Sequence, residues 1–517
     1  MRFPLSSRVL ALAAALAWAL PAAAQESLQW SGYVPPPMIW SDTLRHLLST
    51  TIRAAPGTVT MGGVTYPVNL YNGALLPPML MLRPGDSLRV LLQNAMDTTS
   101  GAETNLHFHG FAVSPRPPAD NVVSIHVPRN TSYQYALRLP PDHAEGLFWY
   151  HPHPHGSSYN QVKRGMSGAI SIGDPRRFFP QYARIPEVFL LLKFFQPDVP
   201  KPAEFTTVNG VPRVELPEMR VGDAQFWRIG NITTERYYRL KLVDPAGDSV
   251  AFQVLARDGN VVADGPPVMV SEMLLGAGQR AEVVVHGARE GYYTLVATDF
   301  VRQDSFPDPR NPRLVDSAAV LARVRVRPGA GGVRAATVTP ARGGHPGEAR
   351  VIRGLLAARG DSVSRDSIEF EIVRSDTAPV KYPIDHVLYD PNRVVKRIAL
   401  GRTYVWRVRN VSQSWHTFHI HQSDFLVDSV GGRKMPPDYR LDTVNVPPCS
   451  AWLPDKSCRP GSEGVAVIRL RYDSPELLGE FVYHCHMLFH EDNGMMANIE
   501  LVKAGAETSE GASGHRH

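Results

Sequence analysis

The sequence predicts an all-β protein made of three similar domains, each an antiparallel sandwich or barrel. Glycine and proline are frequent, at 41 and 45 of 517 residues, and break the chain into short segments. Between these turn signals run apolar alternations such as Leu88-Arg89-Val90-Leu91-Leu92, Ala281-Glu282-Val283-Val284-Val285 and Val465-Ala466-Val467-Ile468-Arg469-Leu470. A period of two over short runs is the mark of strands with one buried face, and long helical periodicity is missing. The third observation is an internal repeat. Gly85 leads through an apolar strand to Asn94, Gly222 to Asn231 and Gly401 to Asn410, with a spacing of nine residues each time. The copies lie 137 and 179 residues apart, the scale of one domain each.

The first 24 residues read as an address. Arg2 and Arg8 precede the apolar run Val9 to Leu20, and Ala22-Ala23-Ala24 offers a small-residue cleavage site. The run is short for a bilayer span, so the expectation is a signal peptide at residues 1–24, no stable membrane anchor, and export to the periplasm or the exterior. The absence of a paired-arginine signal favours export of the unfolded chain, with any metal acquired afterwards. Of 54 basic residues, removal of Arg2 and Arg8 leaves 52 against 49 acidic ones, a net +3. That is too dilute for a nucleic-acid partner.

Domain one is expected over residues 26–175, closing near Asp174-Pro175, and domain two over 176–330. The Gly-, Pro- and Ala-rich stretch at 331–349 reads as a linker. Domain three is expected over 350–503 and a small, polar tail over 504–517. A second repeat links only the outer domains. Phe148-Trp149-Tyr150-His151-Pro152-His153 matches Phe481-Val482-Tyr483-His484-Cys485-His486, and His107-Phe108-His109 matches His419-Ile420-His421. The middle domain is poor in histidine, with only His286 and His345 between residues 156 and 385.

Three cysteines are present. Cys449 and Cys458 lie close together in a Pro-rich loop and in an oxidising compartment are expected to form a disulfide. Cys485 is left alone between two histidines. In an extended strand adjacent side chains face opposite ways, so Cys485 can face one metal while His484 and His486 face another. A thiolate with two imidazoles and a weak thioether is a ligand set for electron-transfer copper, and Cys485, His490 and Met495 supply three of the four. Zinc also accepts Cys and His and is the rival at this point.

The His-x-His pairs 107/109, 151/153, 419/421 and 484/486 place eight imidazoles on four strands of two domains. Each pair presents both rings on one face, so two facing domains would bring all eight to their seam, enough for three metal ions at two or three rings each. His416, three residues before His419, can complete the site of Cys485, His490 and Met495. His155 has no counterpart in the matching motif, where Leu488 stands, and is expected not to ligate. Met166 and Met496 are expected to pack, and His46, His126, His143, His286, His345 and His386 have no partner at ligand spacing.

The motifs His107-x-His109-Gly, His151-x-His153, His416-x-x-His419-x-His421 and His484-Cys485-His486-x-x-x-His490-x-x-x-x-Met495 resemble those of the three-domain, laccase-like multicopper oxidases. The resemblance covers the whole mature chain. It implies three cupredoxin-like Greek-key domains and four coppers per chain. His416, Cys485, His490 and Met495 would hold the type 1 copper, and His107 and His419 the type 2 copper. His109, His151, His153, His421, His484 and His486 would hold the type 3 pair. It also implies a reaction: four one-electron oxidations of a donor at the type 1 copper, with reduction of dioxygen to water at the trinuclear cluster. Acidic residues near the cluster supply protons in similar enzymes, and Asp120 and Glu491 are the candidates. The family often has Asp-Gly where this chain has Asp120-Asn121, at a different distance, which weakens the case for Asp120.

Small phenolic or aromatic donors are the expected substrates. The alternative is a metallo-oxidase of cuprous or other low-valent metal ions. Members of that kind often carry a methionine-rich insert, whereas this chain has 14 methionines with no dense cluster outside the last motif, and Met435 stands alone beside Pro436-Pro437. A third reading, a non-catalytic cupredoxin scaffold or copper-storage protein, would be expected to have lost ligands, and none is lost here.

Overall fold

The computed structural model describes residues 29–97, 101, 103–196, 204–262, 268–306, 312–329, 355, 363–374 and 377–507. The expected signal peptide, the expected linker and most of the expected tail lie outside the described residues. The chain folds as three β-sandwich units, each a pair of sheets around its own apolar core, and it is all-β in class.

In the first unit a four-stranded sheet, ordered Thr131–Arg138, Ser87–Asn94, Leu47–Met61, Val64–Tyr71, faces a five-stranded one. The latter runs Met38–Trp40, Met79–Leu82, Gly168–Ile172, Gly146–His151, His107–His109. Leu88, Val90, Leu92, Phe108, Tyr150 and Ile170 fill the space between them. The middle unit pairs two seven-stranded sheets around Trp227, Val283 and Leu295. In the third unit a six-stranded sheet containing Thr403–Asn410 and Gly464–Arg471 faces a five-stranded sheet. That sheet runs Val394–Ala399, Met496–Val502, Gly479–Cys485, His416–Ile420, Thr443–Val446, and Trp406, Phe418 and Ile468 sit between the two.

The repeat has a physical reason at both ends. Gly85, Gly222 and Gly401 all turn with φ near +80 to +90° (85, 92 and 78°), a region costly for any residue with a Cβ. Asn94, Asn231 and Asn410 are buried, and each side-chain amide donates to a backbone carbonyl outside its own strand. Asn94 Nδ2 donates to Val127 O (2.7 Å), Asn231 Nδ2 to Arg236 O (2.8 Å) and Asn410 Nδ2 to Ser414 O (2.7 Å).

The sheets are mixed rather than purely antiparallel. The repeated strand pairs in parallel with Leu47–Ala54 in unit one, with Glu187–Leu192 in unit two and with Val363–Phe370 in unit three. Alternation reveals that one face is buried but carries no strand direction, so this feature was not readable in the pattern. Near the chain start, Ser31–Gly32 pairs in parallel with Val214 and Glu215, so these residues join a sheet of the middle unit. Cys449 and Cys458 form the expected disulfide. Met166 packs in the first core and Met496 against Val122 and Val482.

Candidate metal centre

Strand register brings the histidines together. Strand His107–His109 runs antiparallel to Gly146–His151, with His107 opposite His151 and His109 opposite Trp149. Strand His416–Ile420 runs antiparallel to Gly479–Cys485, with His419 opposite His484 and Phe418 opposite Cys485. The two edges meet at the contact between the outer units, and all eight rings of the four pairs are at most 1 % exposed. His107 stacks on His421 at 3.7 Å between ring centres and His109 on His419 at 4.0 Å, one ring of each pair coming from each unit.

Ring nitrogens converge on one another. His484 Nε2 lies 3.2 Å from His153 Nε2 and 3.3 Å from His421 Nε2, and His486 Nε2 lies 3.2 Å from His109 Nδ1. Nε2 of His107, His151 and His419 is buried with no hydrogen-bond partner. The opposite nitrogen is held from behind in most rings. His107 Nδ1 is 3.1 Å from Asp120 Oδ2, His151 Nδ1 donates to Pro152 O (3.0 Å), and His419 Nδ1 to Asp442 O (2.7 Å). His484 Nδ1 is 3.0 Å from Glu491 Oε2. Such carbonyl and carboxylate partners fix the tautomer of a ligating imidazole. His421 Nδ1 and His486 Nδ1 have no such partner among the described residues.

Burial, and then the neighbouring rings, push His107, His109, His419, His421 and His486 well below the ordinary imidazole value. His151 and His153 fall to about 3 and about 4 by burial. These rings are neutral at pH 7 with lone pairs facing each other. A neutral lone pair buried without a donor is costly, and a shared cation removes that cost. The donor set therefore fits metal.

A second cluster lies across the same strand. His416 Nδ1 and His490 Nδ1 are 3.1 Å apart, and they lie 3.4 and 3.7 Å from Cys485 Sγ. His490 is carried by the short helix Leu488–Asp492, and Met495, fully buried, follows it. His416 is held by the repeat. Asn410 Oδ1 accepts from Ser412 Oγ (2.8 Å), and Ser412 Oγ lies 2.9 Å from His416 Nε2. Burial lowers His416 to about 3 and pushes the Cys485 thiol up to about 12. A thiolate in this place needs a cation to displace its proton, which is how metals take up thiols.

The two expected acids are both at the seam. Asp120 contacts His107 Nδ1 and accepts from Phe108 N (3.2 Å), and burial raises it to about 8. Glu491 lies between His484 Nδ1 (3.0 Å) and His153 Nδ1 (3.5 Å). Burial opposes its charge, yet the adjoining His153 and His484 ring nitrogens hold it below the ordinary carboxylate range. His155 is exposed against Tyr389 and lies apart from the converging nitrogens. His46, His126 and His386 pair with Asp86, Glu103 and Glu371 instead of with other rings.

Several residues at the site were invisible in the sequence. Asp442 Oδ1 lies 3.2 Å from His109 Nε2, and Arg280 of the middle unit reaches Asp442. Trp149 stacks on His151 at 4.2 Å and walls the seam. Asp492 accepts from the backbone N–H groups of Gly156, Ser158 and Tyr159, docking the third unit on the helix Ser158–Lys163 of the first. No spacing marks Asp442, Arg280 or Asp492, because each acts across a contact between units, and the repeat that contains Trp149 gave no sign of its stacking.

Two ligand clusters of this kind, joined through one strand on paired β-sandwiches, define a copper oxidoreductase. Models of multicopper oxidase domains match residues 53–177 and 364–504, together more than half of the chain. The chain belongs to the multicopper oxidases and is a copper-dependent oxidase with cupredoxin-like domains. It is 24 % identical over 452 residues to a multicopper oxidase of Staphylococcus haemolyticus, covering 83 % of each chain. It is 25 % identical over 433 residues to a laccase of Haloferax volcanii, covering 76 % of this chain and 66 % of that one. Among solved structures, a multicopper oxidase of Campylobacter jejuni described as a metallo-oxidase superposes with a TM-score of 0.72 at 21 % identity, covering 92 % and 96 % of the two chains. A laccase-like multicopper oxidase of Ochrobactrum sp. superposes at 0.68 and 20 % identity, covering 91 % and 100 %.

Proposed function

We propose that the protein oxidises small phenolic or related aromatic donors one electron at a time and passes the electrons to dioxygen. One observation carries the reading: Cys485 closes the cluster with His416 and His490, while its chain neighbours His484 and His486 belong to the eight-ring seam. Copper held at the first cluster supplies one-electron oxidation of the donor, and copper held at the seam supplies four-electron reduction of dioxygen to water. His416, Cys485, His490 and Met495 are the proposed type 1 ligands. His107 and His419 are the proposed type 2 ligands, and His109, His151, His153, His421, His484 and His486 the type 3 ligands.

The chain's own residues divide the work. Trp149 and the stacked rings exclude water from the seam. Glu491 and Asp120 contact His484, His153 and His107 from behind and are the proposed proton donors for oxygen reduction. At the donor end His490 is 4 % exposed, Tyr382 stacks on it at 4.4 Å and Phe489 beside it is 40 % exposed. This aromatic surface suits a planar aromatic donor. Residues 1–24 are proposed to direct export; among the described residues no helix is long and apolar enough to cross a membrane.

The Campylobacter jejuni relative's description as a metallo-oxidase keeps cuprous ion as the rival donor. Steady-state oxygen uptake on a cuprous salt and on 2,6-dimethoxyphenol separates the two. Faster phenol turnover at low concentration is expected, and faster cuprous turnover would overturn the donor assignment.

A further inference from the structure

The middle unit contributes no histidine to either cluster, yet it touches the seam. Its turn Gly276-Ala277-Gly278-Gln279-Arg280 lies directly against the rings. A Cβ on Gly278 would lie 3.2 Å from His109 Cε1 and 3.2 Å from His486 Cδ2, and its φ of +87° leaves the position to glycine. Two residues on, the Arg280 side chain is 1 % exposed and runs between the outer units. Its Nε donates to Leu147 O of the first unit (2.7 Å) and its Nη1 to Asp442 Oδ1 of the third (2.8 Å). Asp258 Oδ1 accepts from Arg280 N (2.7 Å) and holds the base of the side chain.

Asp442 is in turn tied to two rings. Its backbone oxygen accepts from His419 Nδ1 (2.7 Å), and its Oδ1 lies 3.2 Å from His109 Nε2 while also accepting from Thr443 Oγ1 (2.9 Å). His109 is the exception in the seam. The other rings with a fixed rear nitrogen turn Nδ1 to the rear and Nε2 inward, whereas His109 turns Nε2 to Asp442 and Nδ1 toward His486. The inverted ring requires an acceptor behind Nε2, and here Asp442 Oδ1 stands there beside Thr443 Oγ1, which also lies 3.2 Å from Nε2 and itself donates to Asp442 Oδ1. A carboxylate buried this deeply needs a paired cation, and Arg280 supplies it at Oδ1, while Asp442 Oδ2 is buried with no hydrogen-bond partner among the described residues.

We propose that Arg280 of the middle unit is a positioning residue for the metal seam, setting the ring orientation and tautomer of His109 through Asp442. The inference rests on the reading of His109 as a copper ligand. It gives a unit that contributes no histidine to either cluster a part in the metal site: copper loading of the seam depends on the middle unit being docked between the other two.

The test compares copper-loaded full-length protein with Arg280→Met, Arg280→Lys and Asp442→Asn. The readouts are copper per chain, the visible thiolate-to-copper band of the Cys485 cluster, and dioxygen turnover. Arg280→Met is expected to keep the thiolate band and lose at least one seam copper, with turnover down by roughly 10- to 100-fold, the usual effect of losing an outer-shell partner of a metal ligand. Arg280→Lys, which can still reach Asp442 with one donor, is expected to recover a large part of the loss. Full copper content and turnover within about twofold of wild type in Arg280→Met would overturn the proposal. So would loss of the thiolate band along with the seam copper, since the effect would then be general unfolding. Failure of lysine to rescue would assign the loss to packing against Leu147 and Phe148 and overturn it too. If Arg280→Met does not fold, Asp442→Asn decides: selective loss of seam copper supports the inference, and full loading ends it. A wild-type chain that never binds more than one copper would instead sink the reading of the seam itself.

Discussion

His484 and Cys485 are adjacent in one strand and belong to different clusters: His484 Nε2 lies 3.2 Å from His153 Nε2, while Cys485 Sγ lies 3.4 Å from His416 Nδ1. The alternation of a β-strand produces this division, and it leaves only a few covalent bonds between the thiolate and the seam. Cys485→Ser removes the soft ligand without changing the shape of the strand. The variant is expected to lose the visible thiolate band and donor-dependent oxygen uptake by more than about 100-fold, while keeping the seam copper, on the ligand preferences of that metal. Elemental analysis with an absorption spectrum checks it; loss of all copper would show that the two clusters do not load independently.

Glu491 and His490 are also neighbours with separate duties. The helix Leu488–Asp492 points His490 at Cys485 and Glu491 at His484 and His153. Glu491→Gln keeps the shape and removes an acceptor oxygen and its charge. Dioxygen turnover is expected to fall roughly 10- to 100-fold, while the anaerobic rate at which a phenol bleaches the thiolate band stays within about twofold. Stopped-flow traces of reduction and of reoxidation by dioxygen separate the halves. An unchanged reoxidation rate would remove Glu491 from the oxygen half of the reaction.

What was legible in the sequence follows from how local each feature is. The His-x-His pairs were readable because alternation puts both rings of a pair on one face, and strand register then sets His107 opposite His151 and His419 opposite His484. Asn410 was readable only as a repeat, and its duty appeared when Ser412 was found between it and His416. Asp442, Arg280 and Asp492 had no signal at all. Each lies far along the chain from the group it contacts, on strands and turns whose local pattern would be the same without it. The parallel pairing beside each repeated strand was hidden for a related reason, since apolar alternation is blind to the direction of the neighbour.

Asn410 makes a prediction about stability and colour together. Its Nδ2 donates to Ser414 O (2.7 Å) and Pro447 O (2.9 Å), and its Oδ1 accepts from Ser412 N (2.9 Å). Asn410→Ala leaves these buried groups unpaired and is expected to cost about 2–3 kcal/mol. Because Ser412 then loses its anchor, the thiolate band should also shift or weaken. Chemical denaturation and an absorption spectrum test the pair; a stability loss with an unaltered spectrum would separate Asn410 from His416.

Lys193 gives the pH dependence. Its ammonium is buried at the contact of the first and middle units, where it donates to Gly165 O (2.9 Å), Ser167 O (2.9 Å) and Leu75 O. Burial pushes its pKa from 10.5 down to about 7. Below about pH 7 the folded and unfolded chains both hold the proton, and the contribution of the group is flat. Between about 7 and 10.5 only the unfolded chain holds it, so this group makes unfolding harder as pH rises, by at most about 1.4 kcal/mol per pH unit. Lys193→Met removes the dependence and orphans the three carbonyls, at a cost of about 2–3 kcal/mol. The stability difference between wild type and Lys193→Met, taken from urea midpoints at pH 6, 7.5 and 9, should therefore widen with pH. A difference that stays level across that range would mean that the three carbonyls keep the ammonium charged throughout and offset its burial.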